Sequence, residues 1–264
     1  MARFHPILCA AALSAMQALS ASAPATAAPL PAPGPSRCQY PPATENRIVP
    51  VTDNLYQFAH GQWLSTFIVT DAGIVLIDPL NARAAAWFKD ESRKRFNKDV
   101  RYVINTHGHC DHAEGGQLFD KATVVAQENI VAEYQSEDVQ ARYPDITYRD
   151  HMTLNVGGEA IELFHFGADH GNAMTYVLLP RLRTLVTVDL TANDRLPYKD
   201  LPYDDPQGTI DSLRKLEALD FDRLLPGHGN AGTKATLARE RAYWELLRAA
   251  VTARIVEGQT LEQI

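Results

Sequence analysis

The run His107-Gly108-His109-Cys110-Asp111-His112 places four side chains able to hold a metal within six residues, and it constrains the chain more than any other feature. The preceding Val100-Arg101-Tyr102-Val103-Ile104 is β-branched and aromatic, which predicts a buried strand ending at Asn105-Thr106. Ligands set just past a strand end rest on a rigid base yet face solvent, where a metal and a substrate can meet. In an extended chain His107 and His109, at i and i+2, point to one side and can share an ion. Asp111 and His112 follow the turn and can reach a second ion.

Further candidate ligands stand at other predicted strand ends. His170 lies in the glycine-flanked Phe166-Gly167-Ala168-Asp169-His170-Gly171-Asn172. Asp189 closes Thr184-Leu185-Val186-Thr187-Val188, and His228 lies in Leu224-Leu225-Pro226-Gly227-His228-Gly229. His with carboxylate ligands suits zinc and its borderline-soft neighbours, with iron or manganese as alternatives. Five His and two Asp exceed one tetrahedral ion but fill two sites that share a carboxylate.

The ordered set HxHxDH, His, Asp, His resembles the metallo-β-lactamase superfamily, over nearly all of the chain from about Val51 to about Tyr243. The resemblance implies that His107, His109 and His170 hold one metal. It further implies that Asp111, His112 and His228 hold a second, with Asp189 bridging both. Asp78, in Val75-Leu76-Ile77-Asp78-Pro79, matches the family's usual strand-end aspartate, which supports the metal loop without binding metal. His165 competes with His170 as third ligand, but it falls in the alternating run Ile161 to Phe166, where a packed strand histidine is expected. An aspartate at 189, where one β-lactamase subclass has cysteine, resembles glyoxalase II, lactonases and related hydrolases.

The fold class that follows is α/β (α+β), a four-layer αβ/βα sandwich of two mixed sheets, the sandwich topology coming from the family resemblance. Strands are expected at Leu55–Phe58, Thr66–Val69, Ile74–Ile77, Val100–Ile104, Ala160–Phe166, Met174–Leu179, Thr184–Val188 and Arg223–Leu225. Helices are expected at Ala84–Phe96, Gln127–Tyr134, Gln207–Leu219 and Lys234–Val256. Thr260 to Ile264 looks like the opening of another helix. A chain of 264 residues, 45% hydrophobic, can bury a substantial core as one catalytic domain.

The net charge of −7, with no Lys/Arg cluster that offers a phosphate-tracking stripe, argues against a nucleic-acid partner. A small-molecule substrate is expected, and the sequence does not specify an oligomeric state. Arg3 followed by the apolar run Ile7 to Met16, with Ala25-Thr26-Ala27 as a cleavage site, predicts a signal peptide over 1–27 and a periplasmic or secreted protein. That apolar run is too short to span a bilayer, so no stable membrane insertion is expected after cleavage. Residues 28–50 are rich in Pro and Ala and are expected to be a linker, leaving 51–264 as the hydrolase domain. Of Cys38 and Cys110, the second is expected to be a packed thiol beside the ligands, because a disulfide there would pull on the metal loop.

Two zinc ions sharing a bridging hydroxide could cleave an ester, lactone, thioester or related small substrate, with Asp111 orienting the hydroxide and moving its proton. Trp63, in the turn region His60-Gly61-Gln62-Trp63-Leu64, and Asn193 and Tyr198, in the loop after Asp189, are candidate substrate contacts. Two alternatives stay open: a true β-lactamase, and a mononuclear-iron persulfide dioxygenase on the same fold.

Overall fold

The computed structural model describes residues 38, 41, 45–193, 195–198, 201 and 203–264. The signal-peptide segment and most of the linker expected before the domain lie outside them.

Two sheets run through the molecule in sequence order. The first has seven strands in the order β1 (Asn46–Thr52), β2 (Leu55–His60), β3 (Trp63–Thr70), β4 (Gly73–Ile77), β5 (Val100–Ile104), β6 (Thr123–Gln127) and β7 (Ile146–Tyr148). The second has five: β8 (His151–Val156), β9 (Glu159–Phe164), β10 (Tyr176–Leu179), β11 (Thr184–Val188) and β12 (Arg223–Pro226), ordered β12-β11-β10-β9-β8. Both are mixed. Antiparallel pairing from β1 to β4 gives way to parallel pairing from β4 to β7, and β11–β12 is parallel beside antiparallel neighbours.

Side-chain alternation along the strands builds the layers. On β4, Ile74 and Leu76 face helix α1 (Ala82–Phe96) with Phe58, Phe67, Ala85 and Phe88, whereas Val75 and Ile77 face the second sheet. β5 and β6 divide the same way, Val103 and Val124 to the helix and Ile104 and Val125 to the sheet. Strands covered on both faces need apolar residues at every position, and β4 is buried throughout. The second sheet is backed by α4 (Pro206–Glu217), through Ile210, Leu213 and Leu216, and by α5 (Lys234–Val256), through Leu237 and Trp244. The result is the expected α/β sandwich of two mixed sheets.

Helix ends follow local chemistry. Asn81 caps α1 by accepting from Ala84 N at 2.9 Å, and Asn97 ends it at φ +52°. Asp205 caps α4, with Pro206 in the first turn.

The structure corrects several boundaries. Residues 46–50, expected in the linker, form most of β1 and pair with β2. The helix expected at Gln127–Tyr134 is α3 (Ile130–Ser136), because Gln127 closes β6. Strands β6, β7 and β8 had no counterpart in the sequence reading. Thr260 caps a 3₁₀ turn at Leu261–Gln263, in keeping with the helix opening expected there. No helix among the described residues is long and apolar enough to cross a membrane.

The largest correction concerns the cysteines. Cys38 and Cys110 form a disulfide, with Cα atoms 5.9 Å apart, an ordinary separation for such a bond. Cys110 opens the short helix Cys110–Ala113, so the cross-link is made within the ligand loop, and both cysteines line the cleft over the candidate ligands.

Candidate metal centre

Five strand or helix ends converge at one edge of the sandwich. β4 delivers Asp78, which is fully buried and accepts from Thr106 N at 2.8 Å and Thr106 Oγ1 at 2.7 Å. These bonds tie the end of β4 to the start of the loop that follows β5. His107 is held there by Thr106 Oγ1, 2.9 Å from its Nδ1. His109 is extended and precedes the short helix α2 (Cys110–Ala113), which turns Asp111 and His112 inward. The β9–β10 connection brings His170, and the ends of β11 and β12 bring Asp189 and His228.

The seven side chains form two groups that share Asp189. His107, His109, His170 and Asp189 make one, and Asp111, His112, Asp189 and His228 the other, each with its ligand atoms within 4.8 Å of one another. His109 Nδ1 lies 3.2 Å from His170 Nε2, and His107 Nε2 lies 3.4 Å from Asp189 Oδ2. In the second group His112 Nε2 lies 3.2 Å from both His228 Nε2 and Asp189 Oδ1. His165 joins neither group and places Nδ1 2.9 Å from the Met174 carbonyl.

The donor set fits a divalent metal. His107 Nε2 and Asp189 Oδ1 are buried with no hydrogen-bond partner, a cost that an ion would remove. Two pairs of imidazole nitrogens face each other at 3.2 Å, a geometry that lone pairs directed at a cation explain. Gly227 completes the fit, since a Cβ there would sit 2.4 Å from Asp189 Oδ1 and 2.8 Å from His112 Cε1.

Electrostatics within the cluster are strongly coupled. Burial works against the charged rings of His112 and His228, but Asp189 and Asp111 outweigh it, lifting His228 to about 9 and His112 well above its ordinary value. His109 goes the other way, lowered by burial and by the neighbouring His107 and His170. Burial alone would raise Asp111 and Asp189, yet the surrounding histidines hold both well below the usual carboxylate range. Both carboxylates are therefore ionised at neutral pH.

Several supporting residues had no signal in the sequence reading. Asp204 Oδ1 accepts from His170 Nδ1 at 2.8 Å, leaving Nε2 to face the cluster. Of the pair Asp204-Asp205 only the second caps α4, and the first is free to turn toward His170. Glu133, on α3, accepts from Gly108 N at 2.9 Å and Ala173 N at 2.8 Å, and also from Asn172 N, so one carboxylate clamps two ligand loops. Val188 adopts φ +43° immediately before Asp189. For a β-branched residue that is a strained conformation, and it sits where a ligand is aimed.

A cleft of about 650 Å³ opens over the cluster and is lined by His109, Asp111, His170, Asp189 and His228. That volume suits a small molecule. Trp63 lines it, but as more than an apolar wall, because its indole N–H donates to Asp111 Oδ2 at 3.1 Å. Tyr198 stands at the rim, 71% exposed. Asn193 is turned to a neighbouring loop. It lies outside this cleft's lining, and its amide donates to the Asn230 and Ala231 carbonyls at 3.1 and 2.9 Å, bracing the loop after His228.

The sequence profile of the Metallo-beta-lactamase superfamily matches residues 61–228, which span four of the five site-bearing element ends in full and His228 itself. The chain belongs to the metallo-β-lactamase superfamily. A curated relative, the Metallo-beta-lactamase type 2 of Elizabethkingia meningoseptica, is 26% identical over 156 residues, 54% of this chain and 61% of the relative. The match thus covers less than two thirds of that protein. Among solved structures, a metallo-beta-lactamase from Pontibacter korlensis superposes with a TM-score of 0.69 at 19% identity, covering 76% of this chain and 99% of the other. The DIM-1 metallo-beta-lactamase gives 0.68 at 18%, covering 78% and 100%. A double mutant of the sec-alkyl sulfatase PisA1 gives 0.69 at 18%, covering 82% and 44%. Those structural likenesses establish the fold, and the superfamily together with the His/Asp groups implies a divalent metal.

Proposed function

We propose that the protein is an exported dinuclear zinc hydrolase that cleaves an ester, lactone, thioester or related small substrate. The observation that carries this reading is Asp189, which belongs to two otherwise complete ligand groups at once. In this reading His107, His109 and His170 hold one ion and Asp111, His112 and His228 the other, with Asp189 between them. Held by these residues, two such ions would supply a water of lowered pKa and a Lewis acid for the scissile carbonyl.

The chain's own residues would do the rest. Asp111, kept ionised by His112 and His228 and bonded to the Trp63 indole N–H, would accept a proton from the attacking water and pass it to the leaving atom. Asp204 fixes the tautomer and ring plane of His170. The walls of the cleft limit solvent around the reacting bond.

The names of several relatives make β-lactam hydrolysis the second reading. Against it stands the aspartate at 189, which resembles the lactonase and thioesterase branches. Metal analysis of protein purified without added metal, followed by an ester, lactone, thioester and β-lactam panel, tests the proposal. About two zinc per chain with turnover of esters or lactones is expected. About one iron per chain would favour the dioxygenase alternative, and carbapenem kcat/KM above about 10⁴ M⁻¹s⁻¹ would favour a β-lactamase. Single His107→Ala, His109→Ala or His170→Ala substitutions should lose metal and hydrolysis together.

A further inference from the structure

The cleft over the metal centre does not end at the metals. Arg195, Leu196 and Glu240 wall both that cleft and a second hollow of about 340 Å³, between the segment after Asp189 and helix α5. Glu240 thus borders both spaces, and Asn193, Thr236, Arg239 and Tyr243 complete the lining of the second.

Glu240 is the one acidic group lining the second hollow, beside Arg195, Arg239, Asn193 and Thr236. It is half-buried, and its carboxylate has no hydrogen bond or ion pair among the described residues. Arg239 beside it instead approaches Thr236 Oγ1, at 3.4 Å, and the exposed Arg195 side chain makes no ion pair with Glu240. Burial pushes the Glu240 carboxyl up to about 7 against the pull of Arg239. One turn along α5, Trp244 lines the metal cleft, 2% exposed, and its indole N–H is buried with no partner. Unpartnered buried polar groups are costly, and a functional wall is one place where that cost is tolerated.

We propose that this second hollow is a substrate subsite for a protonated amine, which the Glu240 carboxylate receives at the far end of a carbonyl substrate. An anionic group would meet the carboxylate unfavourably, and a neutral hydrocarbon would leave it unpartnered. A primary ammonium satisfies it with charge-assisted N–H donors and can lie against the Tyr243 ring. The charges of Arg195 and Arg239 are exposed and screened by water, whereas that of the half-buried Glu240 is screened less. The substrate class is thus an ester, lactone or thioester bearing an amino group several bonds from the scissile carbonyl, which rests on the hydrolase reading above.

Two matched pairs of compounds separate that reading from this one. With zinc-loaded full chain at pH 8, the p-nitrophenyl ester of 6-aminohexanoic acid should have a KM about tenfold to a hundredfold below that of the heptanoic ester. Glu240→Gln should bring the ratio of the two KM values to near one, and Glu240→Asp should restore part of it. Calorimetric titration with inert 6-phenoxyhexylamine and 6-phenoxyhexanol asks the same question without hydrolysis. The amine should bind more tightly to the wild type by a similar factor, and lose that advantage in Glu240→Gln. If neither ester is turned over but the amine still binds through Glu240, the hydrolase reading fails and the subsite stands. If the wild type binds amine and alcohol equally, or Glu240→Gln keeps the preference, the subsite is refuted.

Discussion

Asp111 combines two roles in one carboxylate: a ligand-group member and the acceptor of the Trp63 indole N–H. Asp111→Asn keeps its shape and removes its charge, so kcat should fall about 10²–10⁴-fold. A loss under about fivefold would exclude proton transfer by this residue. Asp204 acts one bond further out. Asp204→Ala should weaken metal binding about 10–100-fold, measured by competition with a chelator, because His170 loses the acceptor that sets its tautomer. Unchanged affinity would mean that packing alone orients the ring. Glu240 allows a test through stability. Its folded carboxyl, at about 7, lies above the ordinary 4.5, so the folded state holds this proton more tightly than the unfolded one. The associated stability is full below about pH 4.5 and is lost as pH rises through 7. Glu240→Gln should accordingly raise Tm at pH 8 by roughly 2–4 °C, about 1 kcal/mol after discounting for solvent screening, and leave it unchanged at pH 4.5.

At the scale of elements, strand ends aim the ligands and a helix on the opposite side fastens their loops. β5, β11 and β12 were legible because each is a short run rich in β-branched and apolar residues, with a candidate ligand one to three residues beyond its end. β7 and β8 were not, since a three-residue strand and a half-exposed alternating one carry too little apolar signal. Glu133 was equally silent, because an acid on a short helix is indistinguishable from a solvated one until the fold brings Gly108 and Ala173 to it. Glu133→Ala strands three loop N–H groups and should cost about 1–3 kcal/mol. It should also weaken metal binding, as read by thermal melts with and without zinc. A melt and metal content equal to wild type would show that the loops hold themselves.

At the scale of the whole molecule, the Cys38–Cys110 disulfide ties a segment preceding β1 to the ligand loop, closing a sequence separation of 72. A loop of that length is worth up to about 4.4 kcal/mol by restricting the unfolded chain. Cys38→Ser should therefore unfold at lower denaturant than the oxidised wild type and coincide with the wild type under dithiothreitol. Identical curves for oxidised wild type and variant would exclude the cross-link. Sequence alone determined the ligand chemistry and the strand-end positions that carry it, because metal donors and buried strands are local patterns of residue type. Tertiary structure decided which donors share Asp189, that Asp204 and Glu133 support them, that Cys110 bonds to Cys38, and that Glu240 lines both the metal cleft and a second hollow. Each of those depends on distances between residues far apart in the chain, which only the packing of two sheets and their helices sets.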